Sequence, residues 1–172
     1  MIDCYAGTDK CDDQFPTEDP YQYIVGMGLA TSHDYPFVGK KQVCKPSLSQ
    51  MTKINILKVN YLDHYHEHPI HSGALEKTIE NEPVTVKVDA SSIWFQGYAG
   101  GIIDTTDCGQ DAHHPMIAVG WGREEGTGRQ YYILKNSWGE QWGEKGYARI
   151  AATFGGWGIC GVQTTGVYPE TN

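Results

Sequence analysis

The chain reads YYILKNSWG from Tyr131 to Gly139, and the interpretation of the rest of the sequence starts from this stretch. Tyr131 to Lys135 is rich in aromatic and branched apolar side chains, which favours a β-strand. Asn136 directly follows the strand, and Trp138 comes two residues later. An Asn carbonyl in this position can hold an imidazole N–H, and a neighbouring indole can shield that bond from water.

The sequence on both sides of this stretch predicts further strands and two helices. Val84 to Asp89 alternates strictly, which places three valines on one side of a strand. Other strand candidates are Lys53 to Tyr61, Met116 to Trp121 and Tyr147 to Ala151. Helices are predicted at Tyr21 to Leu29, where glycines weaken the helix, and at Ser72 to Asn81, which Pro83 ends. This order predicts an α+β protein with its helices segregated from an antiparallel sheet or barrel.

Composition excludes several classes of protein. Hydrophobic residues make up 40% of the 172 residues and aromatic residues 12%, so the chain is not of the disordered type. Its 21 acidic and 13 basic residues give a net charge of -8, which argues against nucleic acid or an anionic membrane as partner. No apolar run approaches the ~20 residues that span a bilayer.

The five cysteines favour a disulfide framework. None forms a C-x-x-C pair, so a zinc ribbon fits poorly. Disulfides imply an oxidising compartment, and we expect the extracellular space or a lysosome or vacuole if they form. The first residues show no signal peptide, so we expect that the chain does not display its native start. An odd count leaves one thiol free or paired outside the chain.

Two residues are candidates for a base and its orienting partner. His114 begins the apolar stretch that contains Met116 to Trp121, and a strand end presents a side chain rigidly. Nucleophilic catalysis needs such a base together with a group that orients it, and Asn136 fits the second role. The pattern alone favours an ordinary strand-end histidine and an asparagine that forms a turn, because single His and Asn residues are common at strand ends.

A histidine-rich segment offers a possible metal site. His64, His66, His68 and His71 are closely spaced, and alternate residues of an extended segment share a face that suits zinc. Pro69 interrupts the alternation, and no cysteine is near. We therefore favour a solvated loop that responds to acid pH over a metal site.

Several motifs resemble those of the papain-like, cathepsin-type cysteine peptidases in order and spacing. The most specific are Asn136-Ser137-Trp138-Gly139 and Trp142-Gly143-Glu144-Lys145-Gly146-Tyr147. The accompanying motifs are Ile2-Asp3-Cys4, Tyr35-Pro36-Phe37, Tyr98-Ala99-Gly100-Gly101, His113-His114, Cys160-Gly161 and Tyr168-Pro169. The resemblance covers essentially the whole chain. It implies that residues 1–50 are the remainder of a helical left lobe without its central helix, and that residues 51–172 are an antiparallel β-barrel right lobe.

The resemblance also assigns roles to individual residues. It makes His114 the catalytic base and Asn136 the residue that orients it, with Trp138 covering the pair and Trp142 on the leaving-group side. The nucleophilic Cys of the family precedes the Ile2-Asp3-Cys4 motif. The five cysteines of this chain match disulfide positions instead, which implies the pairs Cys4–Cys44 and Cys108–Cys160 and leaves Cys11 for a partner outside the chain.

Three places depart from the family pattern. Asp12, Asp13 and Gln14 replace glycines that would bind an extended substrate, and Pro115 removes a backbone N–H next to the base. Lys87 replaces a small apolar residue in a substrate pocket that would also include His113 and Thr165. We expect such a pocket to prefer acidic or polar side chains, although Lys87 fits a snorkelling surface lysine as well.

Two functions therefore compete. In the first, the chain supplies the His and Asn half of a peptidase that cleaves peptide bonds through a thioester, and a companion polypeptide carries the missing helix. In the second, it is a catalytically inactive relative with a binding or structural role in a larger assembly. Neither function calls for a cofactor or metal. A companion or partner is expected in both, because loss of a helix that buries several large side chains, each worth ~1.5–3 kcal/mol, is hard to tolerate.

Overall fold

The fold is described from a computed structural model that covers residues 3–4, 18–44, 53–54, 56–62 and 69–171. The chain divides into two compact units. The first comprises residues 1–60 and 169–172, and the second comprises residues 61–168. The division after residue 50 that the sequence analysis expects, between a left and a right lobe, stays a prediction. No helix in the described ranges is long and apolar enough to cross a membrane.

The described residues of the first unit form one helix and short strands. Helix α1 runs from Glu18 to Met27, β1 from Leu29 to Ala30, β2 from Lys53 to Ile54 and β3 from Ile56 to Tyr61. Strands β1 and β2 pair in antiparallel fashion. The predicted helix ends earlier than expected, because Gly28 takes a positive φ of 71° and its N–H bonds to the Ile24 carbonyl, so Leu29 lies in a strand.

A disulfide and the Asp3 carboxylate hold the loop that follows α1 and β1. Cys4 and Cys44 are bonded, as the sequence analysis expects. Asp3 accepts hydrogen bonds from the Tyr35 hydroxyl at 2.8 Å and from the Gln42 N–H at 2.6 Å. These contacts tie both ends of the loop to one short segment near the start of the chain.

The second unit contains most of the sheet and two helices. Its helices are α2 from Ser72 to Ile79 and α3 from Ile93 to Gln96. Its strands are β4 (Val84–Val88), β5 (Ile102–Ile103), β6 (His114–Arg123), β7 (Gln130–Lys135), β8 (Tyr147–Ala151) and the first half of β9 (Gly166–Thr171), whose last three residues belong to the first unit. Two 3-10 turns, Thr106–Cys108 and Ile159–Gly161, contain the cysteines of the second disulfide.

The strands of this unit form one sheet in the order β9-β4-β6-β7-β8-β5. Neighbouring strands are antiparallel except β5 and β8, which are parallel. Strand β4 follows the predicted alternation, since Val84, Val86 and Val88 are fully buried whereas Thr85 and Lys87 are half-buried. The buried valines pack in the core with residues of α2 and of the neighbouring strands: Leu75, Met116, Ala118, Tyr132, Leu134 and Ile150. The expected α+β architecture, with helices beside a largely antiparallel sheet, is confirmed.

Some element boundaries differ from the predictions. Helix α2 ends at Ile79 rather than Asn81, and β6 extends beyond the predicted strand at both ends. Helix α3, β5 and β9 carry no clear periodic pattern and were not predicted. Helix α3 has only four residues and depends on Ser92, whose hydroxyl accepts hydrogen bonds from the N–H groups of Trp94 and Phe95.

Candidate active site

His114 and Asn136 are brought together by the antiparallel pairing of β6 and β7. Because the two strands run in opposite directions, the first residue of β6 lies near the residue that follows β7. Nε2 of His114 lies 2.9 Å from Oδ1 of Asn136. The Asn136 side chain is buried, and its backbone N–H bonds to the Gly146 carbonyl at 2.9 Å.

The hydrogen bonds around Asn136 determine the tautomer of His114. The backbone N–H of Ser137 donates to Oδ1 of Asn136 at 2.7 Å, and a backbone N–H can only donate. The atom that it faces must therefore be the amide oxygen rather than the nitrogen. Since that oxygen accepts, Nε2 of His114 must carry the proton. A neutral His114 then has Nδ1 free to accept a proton.

An aromatic cluster packs against this pair. The Trp138 ring lies 4.9 Å from the His114 ring, and Trp138 in turn meets Phe95 at 5.9 Å and Trp142 at 5.2 Å. Trp142 is held by a hydrogen bond from its indole N–H to the Gln96 carbonyl at 3.1 Å. Apolar rings beside a hydrogen bond lower the local dielectric constant, which strengthens the bond electrostatically.

The three expected pocket residues differ in their exposure to solvent. Lys87 is half-buried on β4, opposite Pro115 of β6. Thr165 is buried directly before β9, and extending the β4–β9 register by one residue places its backbone opposite Lys87. His113 is exposed, and its Nδ1 lies 2.5 Å from the Asp111 carbonyl. The register thus places the backbone of Thr165, just before β9, beside that of Lys87 on β4.

An apolar stripe on β6 begins beside the site. Pro115, Ile117 and Val119 alternate with buried residues and are exposed, Ile117 by 42% and Val119 by 40%. A shallow pocket of about 380 Å³ lies along this stripe and reaches Asn136 and Ser137. These three side chains leave apolar surface next to His114.

Asp89 is a buried acidic residue next to the site that the sequence analysis did not single out. Burial acts to raise the pKa of its carboxyl, but hydrogen bonds from Ser91 and from the Asp111 N–H outweigh burial and lower it. The only signal in the sequence was its position at the end of the alternating strand, where an Asp is common in turns.

The remaining sequence predictions have mixed outcomes. The disulfide between Cys108 and Cys160 is present, as expected. Cys11, Asp12, Asp13, Gln14, His64, His66 and His68 lie outside the described residues, and His71 directly precedes α2. Within the described residues, no three His, Cys, Asp or Glu side chains are grouped to hold a metal ion.

Comparison with known proteins identifies the class. A sequence profile of the papain family cysteine proteases matches residues 1–170, and the chain belongs to that family. Mexicain from Jacaratia mexicana is 35% identical over 170 residues, which cover 98% of this chain and 73% of mexicain. Probable cysteine protease RDL5 from Arabidopsis thaliana is 36% identical over 175 residues, which cover all of this chain and 45% of RDL5. The chain therefore spans about half to three quarters of the length of these relatives.

Solved structures show the same fold. The bromelain protease from Ananas comosus, in complex with the E64 inhibitor, superposes with a TM-score of 0.84 at 29% identity. The match covers 99% of this chain and 75% of the bromelain chain. The Carica candamarcensis cysteine protease CMS1MS2, in complex with E-64, gives a TM-score of 0.83 at 32% identity with the same coverage.

Proposed function

We propose that this chain supplies the base and its orienting residue to the active site of a papain-family cysteine peptidase. The observation that carries the proposal is the 2.9 Å bond from Nε2 of His114 to Oδ1 of Asn136. That bond leaves Nδ1 of His114 as the proton acceptor. Trp138 shields it, and Trp142 lies on the leaving-group side.

In the proposed reaction, Nδ1 of His114 takes the proton of a cysteine thiol, which gives a thiolate and an imidazolium. The thiolate attacks the carbonyl carbon of a peptide bond, and the imidazolium returns its proton to the departing amine. The product of this step is a thioester. Water then attacks the thioester, with His114 again accepting a proton, and releases the acid and the thiol.

The nucleophilic cysteine lies, in this proposal, on a segment outside the part of the family that this chain matches. The exposed stripe of Pro115, Ile117 and Val119 supports a companion segment, because burying three such side chains beside the base stabilises an assembly. The disulfides support an oxidising location, extracellular or in a lysosome or vacuole. The proposed substrates are peptides, with Lys87, His113 and Thr165 in the substrate pocket.

Covalent labelling tests the proposal. Two solved relatives are complexes with E-64, so a thiol-directed epoxide of that type is the probe. We expect native, reduced protein to take up one equivalent, measured by intact mass, and His114→Ala to slow labelling about 100-fold. His33→Ala is the matched control, because the His33 side chain is 95% exposed in the other unit. Absence of labelling in assembled, reduced protein would rule the peptidase out.

A second candidate is the inactive relative with a binding or structural role. Two departures from the family pattern favour this function: Pro115 directly follows the base, and Lys87 lies opposite Pro115 on the neighbouring strand. The intact mass of native material with and without reductant separates the two. A cysteine-bearing fragment released by reduction, through Cys11, supports the two-chain peptidase, whereas an unchanged mass supports the inactive relative.

A further inference from the structure

Asp89 connects two segments that flank the His114–Asn136 pair. It follows β4, whose last residue Val88 pairs with His114, and its own N–H bonds to the Cys160 carbonyl at 2.7 Å. The residue is only 5% exposed. Its backbone is therefore held at the disulfide-bearing turn while its carboxylate points to the loops on either side.

One carboxylate oxygen holds the segment that leads into α3. Oδ1 of Asp89 accepts the Ser91 N–H at 3.0 Å and the Ser91 hydroxyl at 2.5 Å. The next turn is α3, where the Gln96 amide bonds back to the Ala90 and Ser91 carbonyls at 3.3 Å. The Gln96 carbonyl also accepts the indole N–H of Trp142, so this segment helps to hold the aromatic cluster beside His114.

The other carboxylate oxygen holds the segment that leads into His114. Oδ2 of Asp89 accepts the Asp111 N–H at 3.1 Å, three residues before His114. Gly109, with a φ of 74°, passes so close that a Cβ there would lie 2.3 Å from Oδ2. The loop can approach the carboxylate only because residue 109 is glycine.

From these contacts we propose that Asp89 is a positioning residue that sets the place of His114 relative to Trp138 and Asn136. The inference rests on the proposed function, in which His114 is the base. This role requires the ionised carboxylate, because both of its oxygens accept hydrogen bonds. The donors are the Ser91 N–H, the Ser91 hydroxyl and the Asp111 N–H. The nearby His113 acts in the same sense by favouring the charged form of Asp89.

Substitution by asparagine removes one acceptor without changing the shape of the side chain. In Asp89→Asn the amide oxygen can serve either Ser91 or Asp111, and the amide NH₂ then faces a donor on the other side. The matched control is Asp107→Asn, which removes the same charge from an exposed position on the neighbouring 3-10 turn. The control leaves every contact of Asp89 intact.

The measurement is the ring Nε2–H signal of His114 in native protein labelled with ¹⁵N-histidine, with any companion segment retained. We expect Asp89→Asn to speed exchange of this proton with water by about tenfold or more, and Asp107→Asn to leave it unchanged. Should Asp89→Asn not fold, Ser91→Ala, which removes one of the three bonds, is expected to give a smaller change in the same direction. Unchanged exchange in a folded Asp89→Asn variant, or in Ser91→Ala where that variant decides, would overturn the proposal.

Kinetics add a readout that general destabilisation would not move. Per epoxide-labelled site, Asp89→Asn is expected to lower kcat about tenfold or more while KM stays within about twofold. A loss explained entirely by fewer labelled sites would contradict a positioning role. Because the proton-exchange measurement needs no turnover, a protein without peptidase activity would refute the proposed function and still test Asp89.

Discussion

Asn136 shows how much chemistry a single side chain can determine. Its amide oxygen receives the Ser137 N–H and the His114 imidazole at the same time. The contact with Ser137 orients the amide. Because the amide oxygen then faces His114 and accepts, the proton of the neutral imidazole lies on Nε2 and not on Nδ1. Within the described residues, Nδ2 of Asn136 is buried without a hydrogen-bond partner, so the orientation depends on the oxygen alone.

Asn136→Ala is predicted to lower kcat/KM of the native peptidase by on the order of 100-fold, because the imidazole loses the acceptor that sets its tautomer. Initial rates on a fluorogenic peptide at several pH values measure the effect. Ser137→Ala is the control, since the contact that Ser137 makes to Asn136 comes from its backbone. A loss in Asn136→Ala of only a few-fold would mean that Trp138 packing suffices to orient His114.

At the scale of elements, helix α2 and strand β7 bury a polar pair in the core. Glu76 of α2 is only 8% exposed, and burial raises the pKa of its carboxyl, with a smaller opposing effect from Arg123 and a reinforcing one from Glu80. Tyr132 of β7 is fully buried, and its hydroxyl has no hydrogen-bond partner among the described residues. Burial, and then the charge of Glu76, raise the pKa of Tyr132.

The Glu76 carboxyl is predicted to make the protein less stable as pH rises. Its folded pKa lies above the ordinary value of 4.5, so stability is fully present below that pH and is lost as pH rises through the folded pKa. Glu76→Gln is expected to unfold a few degrees above the unmodified protein at pH 7 and at nearly the same temperature at pH 4. Thermal unfolding across this range measures the difference.

Glu125→Gln provides the control for this prediction, because Glu125 is exposed in the turn between β6 and β7, whereas Glu80 itself raises the pKa of Glu76. It removes the same charge without removing a buried carboxyl. A pH-independent difference between Glu76→Gln and the unmodified protein would show that lost packing, not ionisation, accounts for the effect.

At the scale of the whole molecule, each of the two units contains one disulfide among the residues that the structure describes. The second joins Cys108 and Cys160 across 52 residues, close to Asp89, whose N–H bonds to the Cys160 carbonyl. A crosslink over a long loop restricts the unfolded chain strongly. It therefore contributes stability to the unit that holds His114 and Asn136.

Replacing both Cys108 and Cys160 by Ser is predicted to lower the free energy of unfolding by about 4 kcal/mol, from the loop-closure entropy of a 52-residue separation. Chemical denaturation under non-reducing conditions measures this loss. If the loop entropy is responsible, adding reductant should destabilise the unmodified protein and change the double variant less. Equal sensitivity of the two proteins to reductant would contradict this explanation.

The amino-acid sequence by itself determined the elements whose residues repeat with a regular period, and the local motifs of the site. The alternating valines of β4 predicted its buried face, and the Asn-Ser-Trp-Gly motif predicted the partner of His114, because both signals lie within a few consecutive residues. The tertiary structure alone decided the role of Asp89, which depends on a hydrogen bond to a residue 22 positions away and on a glycine beneath the carboxylate. It also decided the short elements α3 and β9, whose residues are held by caps and strand partners rather than by their own periodicity. Contacts between distant residues form only when the chain folds, so no local pattern encodes them.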